Sequence, residues 1–174
     1  TALREAVNIP GTLSTRSVYA KGGAIYLDGG EGGKVSVGGR LSASSRHSTG
    51  GSIHVGGHSI ALKGATLSAH GATGGGSIKV GGGRQGAPVA GLTTASHVTV
   101  DPDTRLNTQS TQSGNGGDVT LWANEDMSFR GSIDAQALGA SGDGGEAEVS
   151  GKNLLYSGTT NLLAANGRAG TLLL

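Results

Sequence analysis

The sequence lacks cysteine altogether and is poor in aromatic residues and proline. Its 174 residues include one Trp, one Phe, three Tyr and three Pro. Without cysteine there is neither a disulfide framework nor thiolate chemistry, and three prolines exclude a proline-rich disordered linker. So few large side chains cannot fill a thick hydrophobic core. A thin core stacked in layers from Val, Ile, Leu and Ala needs none of them.

Charged residues and long apolar runs are also scarce. Charged residues make up 14% of the chain, the net charge is +1 at pH 7, and there is no basic run. This disfavours a dedicated nucleic-acid-binding surface. No apolar run approaches the roughly 18 residues of a membrane-spanning helix, and no signal peptide is recognisable. We therefore expect no nucleic-acid partner and no embedded membrane segment.

Glycine is abundant, with 35 of the 174 residues against a usual share of about 7%. Much of it occurs in pairs that precede an apolar–polar–apolar triplet, the pattern of a short strand with one buried face. The clearest copies are residues 50–57 and 75–82, and looser copies begin at Gly22, Gly116, Gly144 and Ala169. A strand unit that recurs every few tens of residues indicates a solenoid.

The repeats are 22–49, 50–74, 75–115, 116–143 and 144–168, and each contains two further strand-like segments. Three short strands per coil predict an all-β fold, a right-handed parallel β-helix of about six coils. Residues 1–174 then form a single β-helix segment. The pattern runs to both ends of the sequence, so we expect the segment to be part of a longer rod.

Alignment of the repeats sorts their side chains into columns. The predicted inward columns are aliphatic: Ile25, Ile53, Ile78, Val119, Ala147 and Leu172 in strand one, and Leu13, Leu41, Leu67, Leu106 and Ile133 in strand three. The predicted outward column of strand one is mixed and solvated: Tyr26, His54, Lys79, Thr120 and Glu148. We expect the glycine pairs at corners, where positive φ and close backbone approach favour glycine.

The third full coil carries one inserted loop. Its repeat has 41 residues against 25 in its neighbour, an excess of 16, and the insertion is placed at residues 84–96. Insertions in solenoids form loops on one face and often bind partners. Arg84, Gln85 and Leu92 are therefore candidate binding residues. In the alternative interpretation, Val89 and Leu92 fold back and cover an apolar patch on the rod.

Trp122 is the fourth candidate binding residue. It follows an inward leucine in the fourth repeat, so alternation turns it outward, where an indole can stack on a sugar or a partner. Alternatively, it covers the corner near Asn124. Single exposed apolar side chains are common on protein surfaces, which favours the structural role.

Several motifs of this chain resemble those of the large exoproteins of bacterial two-partner secretion, the filamentous-haemagglutinin-like adhesins. The resemblance rests on the Gly-Gly-x-Ile-x-Val-Gly-Gly copies and on residues 80–86, 116–122, 129–133, 148–152 and 170–174. It implies a monomeric β-helical rod, exported through an outer-membrane transporter. The rod would be secreted or displayed at the bacterial cell surface, where it adheres to a host surface protein or glycan and contributes to virulence. The motifs do not indicate the N-terminal secretion domain of that family.

Three patterns resemble catalytic or ligand-binding motifs, but each lacks a feature that the chemistry requires. Residues 81–86 match G-x-G-x-x-G, but a dinucleotide site needs a helix there, and Pro88 breaks one. His54 and His58 lack the further ligands of a zinc site. Acids at positions such as 118, 146 and 148 cluster late in the chain, and a glycosidase needs two carboxyl groups about 5–9.5 Å apart. The column of Glu148 offers no acid in the preceding coil, so a solvated edge is favoured. We expect no enzyme activity, no metal and no cofactor.

The preferred hypothesis is therefore a non-catalytic β-helical segment of a large secreted bacterial adhesin, acting as the rod. One alternative is a carrier module that binds a specific host protein through residues 84–96. A second alternative is a polysaccharide-processing β-helix enzyme.

Overall fold

A computed structural model of the chain describes residues 5–9, 11–14 and 23–174. The strands are β1 (Glu5–Ile9), β2 (Thr12–Ser14), β3 (Ala24–Asp28), β4 (Lys34–Val37), β5 (Arg40–Ser42), β6 (Ser52–Gly56), β7 (Ser59–Leu62), β8 (Thr66–Ser68), β9 (Ser77–Val80), β10 (His97–Val100), β11 (Arg105–Asn107), β12 (Asp118–Phe129), β13 (Ser132–Asp134), β14 (Glu146–Tyr156), β15 (Thr159–Asn161) and β16 (Thr171–Leu173). The described residues contain one helical element, a 3-10 turn at Arg84–Gly86. This turn is far too short to cross a membrane, so the described residues contain no helix that could span one.

All strand pairs are parallel and form three ladders, which confirms the predicted parallel β-helix. The strand-one ladder runs β3–β6–β9–β12–β14–β16, the strand-two ladder β1–β4–β7–β10–β12–β14, and the strand-three ladder β2–β5–β8–β11–β13–β15. Six strands in a column enclose five intervals, so the solenoid has about five turns rather than the six predicted.

The prediction of three strands per coil needs one correction, because β12 and β14 each run through strand one and strand two. They are 12 and 11 residues long. In the earlier coils a glycine with positive φ separates the two strands: Gly30 (φ 77°), Gly57 (143°) and Gly81 (83°). Trp122 and Ser150 follow strand one in the two later coils, so the backbone there remains extended.

The core contains the aliphatic columns predicted from the sequence, except that Leu172 in the last coil is 37% exposed, and it also includes strand-two residues such as Ile60 and Val98. The register pairs Ile25 with Ile53, Ile53 with Ile78 and Ile78 with Val119, and these four side chains are buried. In strand three, Leu41, Leu67, Leu106 and Ile133 also stack in register and are buried. Each square ångström of apolar surface removed from water contributes about 25 cal/mol, so these columns stabilise the stack.

The glycine pairs before strand one confirm the expected close backbone approach, whereas the expected positive φ is absent from the pairs at 50–51, 75–76, 116–117 and 144–145. The second glycine of each pair donates its N–H across the coil to the residue after strand three: Gly51 to Ala43, Gly76 to Ala69, Gly117 to Thr108 and Gly145 to Ala135, at 2.7–2.8 Å. A Cβ on Gly76 would lie 2.0 Å from the Gly51 carbonyl oxygen. The coils therefore stack backbone on backbone at this corner.

Candidate functional site

The insertion in the third coil is shorter than the sequence indicated. Ala95 is fully buried in the core, and its N–H donates to the Gly81 carbonyl at 2.8 Å. The N–H groups of Asn124 and Glu125 in the next coil donate to the carbonyls of Ala95 and Ser96. Ala95 and Ser96 are thus part of the coil rather than of an 84–96 loop. The residues that leave the coil are 83–94, called the strap below.

One end of the strap is attached to the fifth coil. Gln85 adopts the left-handed conformation (φ 54°, ψ 34°), and its N–H lies 3.0 Å from both carboxylate oxygens of Glu148. The Arg84 guanidinium forms an ion pair with Glu146. Both acids belong to β14 and point to the outer side of the strand-one ladder, so the first turn of the strap lies against this outer face.

The other end of the strap is attached near the first coil. Thr93 donates its N–H and its hydroxyl to the two carboxylate oxygens of Asp28 in β3, at 3.1 and 3.2 Å. The Thr93 carbonyl accepts the N–H of Gly57 at 3.1 Å. Four interstrand steps separate β3 from β14 in the ladder, or about 19 Å at 4.8 Å each. The strap thus connects β3 with β14 across the strand-one ladder.

Three of the five residues in the outward column of strand one are buried, contrary to the prediction of a solvated face, whereas Tyr26 is 57% exposed and Lys79 is half-buried. Glu148, Thr120 and His54 are exposed by only 3%, 5% and 8%. Their outward orientation follows from strand alternation, as expected. Gln85 of the strap binds Glu148, and Thr93 of the strap lies against Gly56, two residues after His54. Outward orientation therefore does not mean solvation here.

His54 is the most constrained residue of this face. Its ring stacks on Tyr26 with centroids 4.7 Å apart and an interplanar angle of 8°. Burial lowers the pKa of His54, the positive charge of Lys79 lowers it further, and Asp118 opposes the shift. The Nδ1 atom is buried and has no hydrogen-bond partner. The environment therefore favours the neutral imidazole.

Trp122 lies on the outer face at the base of the strap. Its indole N–H donates to the Asn124 side-chain oxygen at 2.9 Å, and its ring packs against Gly82 and Gly86. A Cβ on Gly86 would lie 2.7 Å from the indole Cζ2. The indole thus fills the junction between strap and coil, as in the structural interpretation.

The structure brings three of the four candidate binding residues together. Arg84, Gln85 and Trp122 surround the first turn of the strap, and the side chains of Arg84 and Gln85 are largely exposed. Leu92 is half-buried near the opposite end, where its N–H donates to the Val89 carbonyl at 3.0 Å. The four residues do not form one continuous patch.

A shallow groove beside the strap contains an acid pair. Asp118 and Glu146 are direct partners in register on neighbouring coils, and Lys79, Arg84, Thr120 and Glu148 also line the groove. The sequence signal for this pair is that both acids directly follow a glycine pair. Asp118 accepts the Ser77 hydroxyl at 2.7 Å, and Glu146 is paired with Arg84. The two carboxylates therefore serve as structural anchors.

A second polar cluster lies on the outer face of the strand-two ladder and was not predicted. Asp126 contacts His97 Nδ1 at 2.9 Å and accepts the Asn153 amide at 2.8 Å. The Asn153 hydrogen bond, followed by His97, lowers the pKa of Asp126. Ser59 precedes His97 in the same column, but no hydrogen bond joins these two among the described residues, so no Ser–His–Asp triad is formed. This part of the chain also contains no group of three His, Asp or Glu residues arranged to hold a metal.

Comparison with known proteins identifies a relationship of fold. No protein-family model matches the chain, and no curated protein matches it either. The crystal structure of the HMW1 secretion domain from Haemophilus influenzae is similar, with a TM-score of 0.74 and 25% sequence identity over 97% of this chain. The chain spans 47% of the length of that structure. That structure is a secretion domain, which the sequence motifs of this chain did not indicate. The similarity supports the parallel β-solenoid fold.

Proposed function

We propose that this chain is a non-catalytic β-helical module of a large secreted bacterial adhesin, exported with a partner transporter in the outer membrane. The observation that carries the proposal is the similarity to the HMW1 secretion domain over 97% of the chain. The sequence motifs that resemble those of two-partner exoproteins support the proposal independently of the fold. In this role the chain forms part of a rod at the cell surface and supports attachment to a host surface protein or glycan.

The geometry of the outer faces is consistent with a scaffold. The acids of the strand-one face are engaged by Arg84, by the Gln85 N–H and by Ser77. A catalytic carboxylate pair instead needs an approach for substrate and water between its members. The absence of enzyme activity remains a prediction. A reducing-end assay with acidic and neutral polysaccharides tests it, and activity that disappears in Glu146→Gln would establish the enzyme alternative.

Export is the first property to test. A signal peptide and the chain are fused to a reporter and produced in a bacterium with or without the outer-membrane transporter of a two-partner system. We expect the reporter in the medium only when the transporter is present. The Ile53→Asp variant, which buries an unpaired charge, serves as a control for dependence on the fold. Equal release with and without the transporter would refute the secretion assignment.

Attachment requires its own experiment. Beads that carry the purified chain are incubated with host cells and with immobilised glycans, beside beads that carry an unrelated β-solenoid. Binding above this control supports the adhesive role. The carrier alternative predicts that the double variant Arg84→Ala, Leu92→Ala loses binding to one host protein, whereas a rod that attaches elsewhere retains it.

A further inference from the structure

The strap is a cover held mainly at its two ends. One end binds Glu146 and Glu148 of the fifth coil, and the other binds Asp28 and Gly57 of the first and second coils. Between Gln85 and Thr93 the strap consists of Gly, Ala, Pro, Val and Leu and carries no charged side chain. The middle of the strap therefore supplies neither a counter-ion nor a side-chain hydrogen bond to the face beneath it.

His54 lies on that face, two residues before Gly56 on the same strand side. The strap passes close to Gly56, because a Cβ there would lie 2.8 Å from the Thr93 carbonyl oxygen. His54 is exposed by 8%, and its Nδ1 is buried without a hydrogen-bond partner. In the neutral ring with its proton on Nε2, Nδ1 is an unpaired acceptor, which is less costly to bury than an unpaired donor on a charged ring. In the imidazolium, Nδ1–H would be a buried donor with no acceptor, on a charged ring.

We propose that His54 makes the strap a pH-responsive cover, which opens from the strand-one face when His54 takes up a proton in mild acid. The inference rests on the strap and the buried imidazole and does not depend on whether the rod mediates attachment. An open strap uncovers Thr120 and Glu148 and frees Val89 and Leu92, so acid would change the surface that the rod presents.

The groups facing His54 on every packed element favour this direction. Tyr26 from β3 stacks on the ring. Lys79 from β9 repels an added positive charge, and Asp118 from β12 attracts it. Asp118 already accepts the Ser77 hydroxyl at 2.7 Å, and Asp28 accepts two hydrogen bonds from Thr93. Burial and Lys79 outweigh Asp118 and hold the pKa of His54 below its ordinary value.

The sign of the pH effect follows from proton linkage. The closed state has the lower His54 pKa, whereas an open strap hydrates the ring and restores the ordinary value near 6.5. The open state therefore binds more protons below about pH 6.5. The ratio of open to closed molecules then rises by up to about tenfold per pH unit, until the lowered pKa of the closed state is reached.

Hydrogen exchange of the full chain between pH 7.5 and 5.5 tests the proposal. The reporters are the amides of Gln85, Gly57 and Thr93, which bond across the strap junctions. Corrected for intrinsic exchange rates, their protection should fall up to about tenfold by pH 5.5. The amide of Gly76, bonded within its coil, should keep its protection.

Acrylamide quenching of Trp122, the single tryptophan, provides a second readout. The indole packs against Gly86 of the strap, so quenching should increase over the same pH range. Protection or quenching that is unchanged in the wild type down to pH 5.5 would overturn the proposal.

Three substitutions identify the titrating group. In His54→Gln the fall in strap protection should disappear. His70→Gln, which removes the other histidine with a lowered pKa, a half-buried one, should behave like the wild type. Lys79→Gln raises the closed-state pKa of His54, so its acid-induced opening should be smaller than in the wild type. An undiminished fall in His54→Gln would refute the role of His54. If His54→Gln opens at all pH values, the Lys79→Gln result decides, and a response equal to that of the wild type would refute it.

Discussion

At the scale of single residues, the glycine pairs set the spacing between coils. A Cβ on Gly76 would lie 2.0 Å from the Gly51 carbonyl oxygen, whereas a Cβ on Gly32 would meet nothing within 4 Å. The Gly51 backbone cannot move away from this Cβ as a flexible side chain could. We expect Gly76→Ala to lower the free energy of unfolding by about 3 kcal/mol, the upper range for overpacking. Gly32→Ala should remain within about 0.5 kcal/mol of the wild type.

Thermal melts followed by circular dichroism compare these two variants. At this chain length 1 kcal/mol changes the Tm by about 2–4 °C, so Gly76→Ala should melt about 6–12 °C lower. Equal Tm values for the two variants would show that the corner can expand.

Asp101 is a second residue with a distinct structural role, at the corner between strands two and three. Burial alone would raise the pKa of Asp101, but the N–H of Gly64 and the Thr104 hydroxyl, both at 2.9 Å, and further backbone donors together lower it. The folded pKa thus lies below the unfolded value. Asp101 therefore stabilises the fold above about pH 4, and this contribution is lost as the pH falls through the lowered folded pKa.

The resulting prediction concerns Asp101→Asn. We expect it to destabilise the chain by about 1 kcal/mol at pH 7, the order of one hydrogen bond, and by less at pH 3. Urea unfolding at the two pH values measures both differences. Asp103→Asn, at an exposed position in the same turn, is the matched control. An Asp101→Asn effect that is equal at pH 3 and pH 7 would contradict the assignment.

At the scale of elements, the strap is predicted to stabilise the rod. Deleting residues 83–94 joins Gly82 to Ala95 and leaves four residues between Val80 and His97, the same number as between Leu121 and Asp126 in the next coil. The deletion removes the contacts to Glu146, Glu148 and Asp28 and uncovers the strand-one face. We expect the Tm to fall by a few degrees, as a loss of about 1–2 kcal/mol does at this size.

Loop closure entropy opposes this effect only weakly, because each doubling of loop length costs about 0.6 kcal/mol. Thermal melts of the deleted and intact chains measure the difference, with acrylamide quenching of Trp122 as a check that the strap base is uncovered. A Tm that stays equal or rises would show that the strap is a dispensable loop, which favours the carrier alternative.

The strands could be predicted and the strap could not, for one physical reason. Inward positions such as Ile53 are recognised by their own chemistry, since an aliphatic residue recurs at the same place in every repeat. His54 is instead buried beside Gly56, against which Thr93 packs from about forty residues later in the chain. The sequence also failed to show that Ala95 belongs to the coil, because alanine suits a loop as well as a core. Strands one and two are continuous in β12 because Trp122 stands where the earlier coils have a corner glycine, and the sequence shows this only by that missing glycine.

At the scale of the whole molecule, the strap changes how the coils are coupled. In a solenoid each repeat contacts only its neighbours, so a local change is transmitted step by step. The strap instead connects β3 directly to β14, across four interstrand steps. A weakening at the Asp28 end should therefore be felt at Glu148 without unfolding of the intervening coils.

We expect Asp28→Ala to accelerate hydrogen exchange of the Gln85 amide, which bonds Glu148 about 19 Å away by the strand spacing. Loss of the Thr93 contacts, at about 1 kcal/mol, corresponds to roughly fivefold faster exchange if the two ends open together. The Gly76 amide, which lies between them in the stack and bonds Ala69, should keep its rate. Glu31→Ala, an exposed change in the same coil as Asp28, is the control. Acceleration at Gly57 alone would mean that the ends of the strap open independently. Acceleration at Gly76 as well would mean that the coupling runs through the stack and not through the strap.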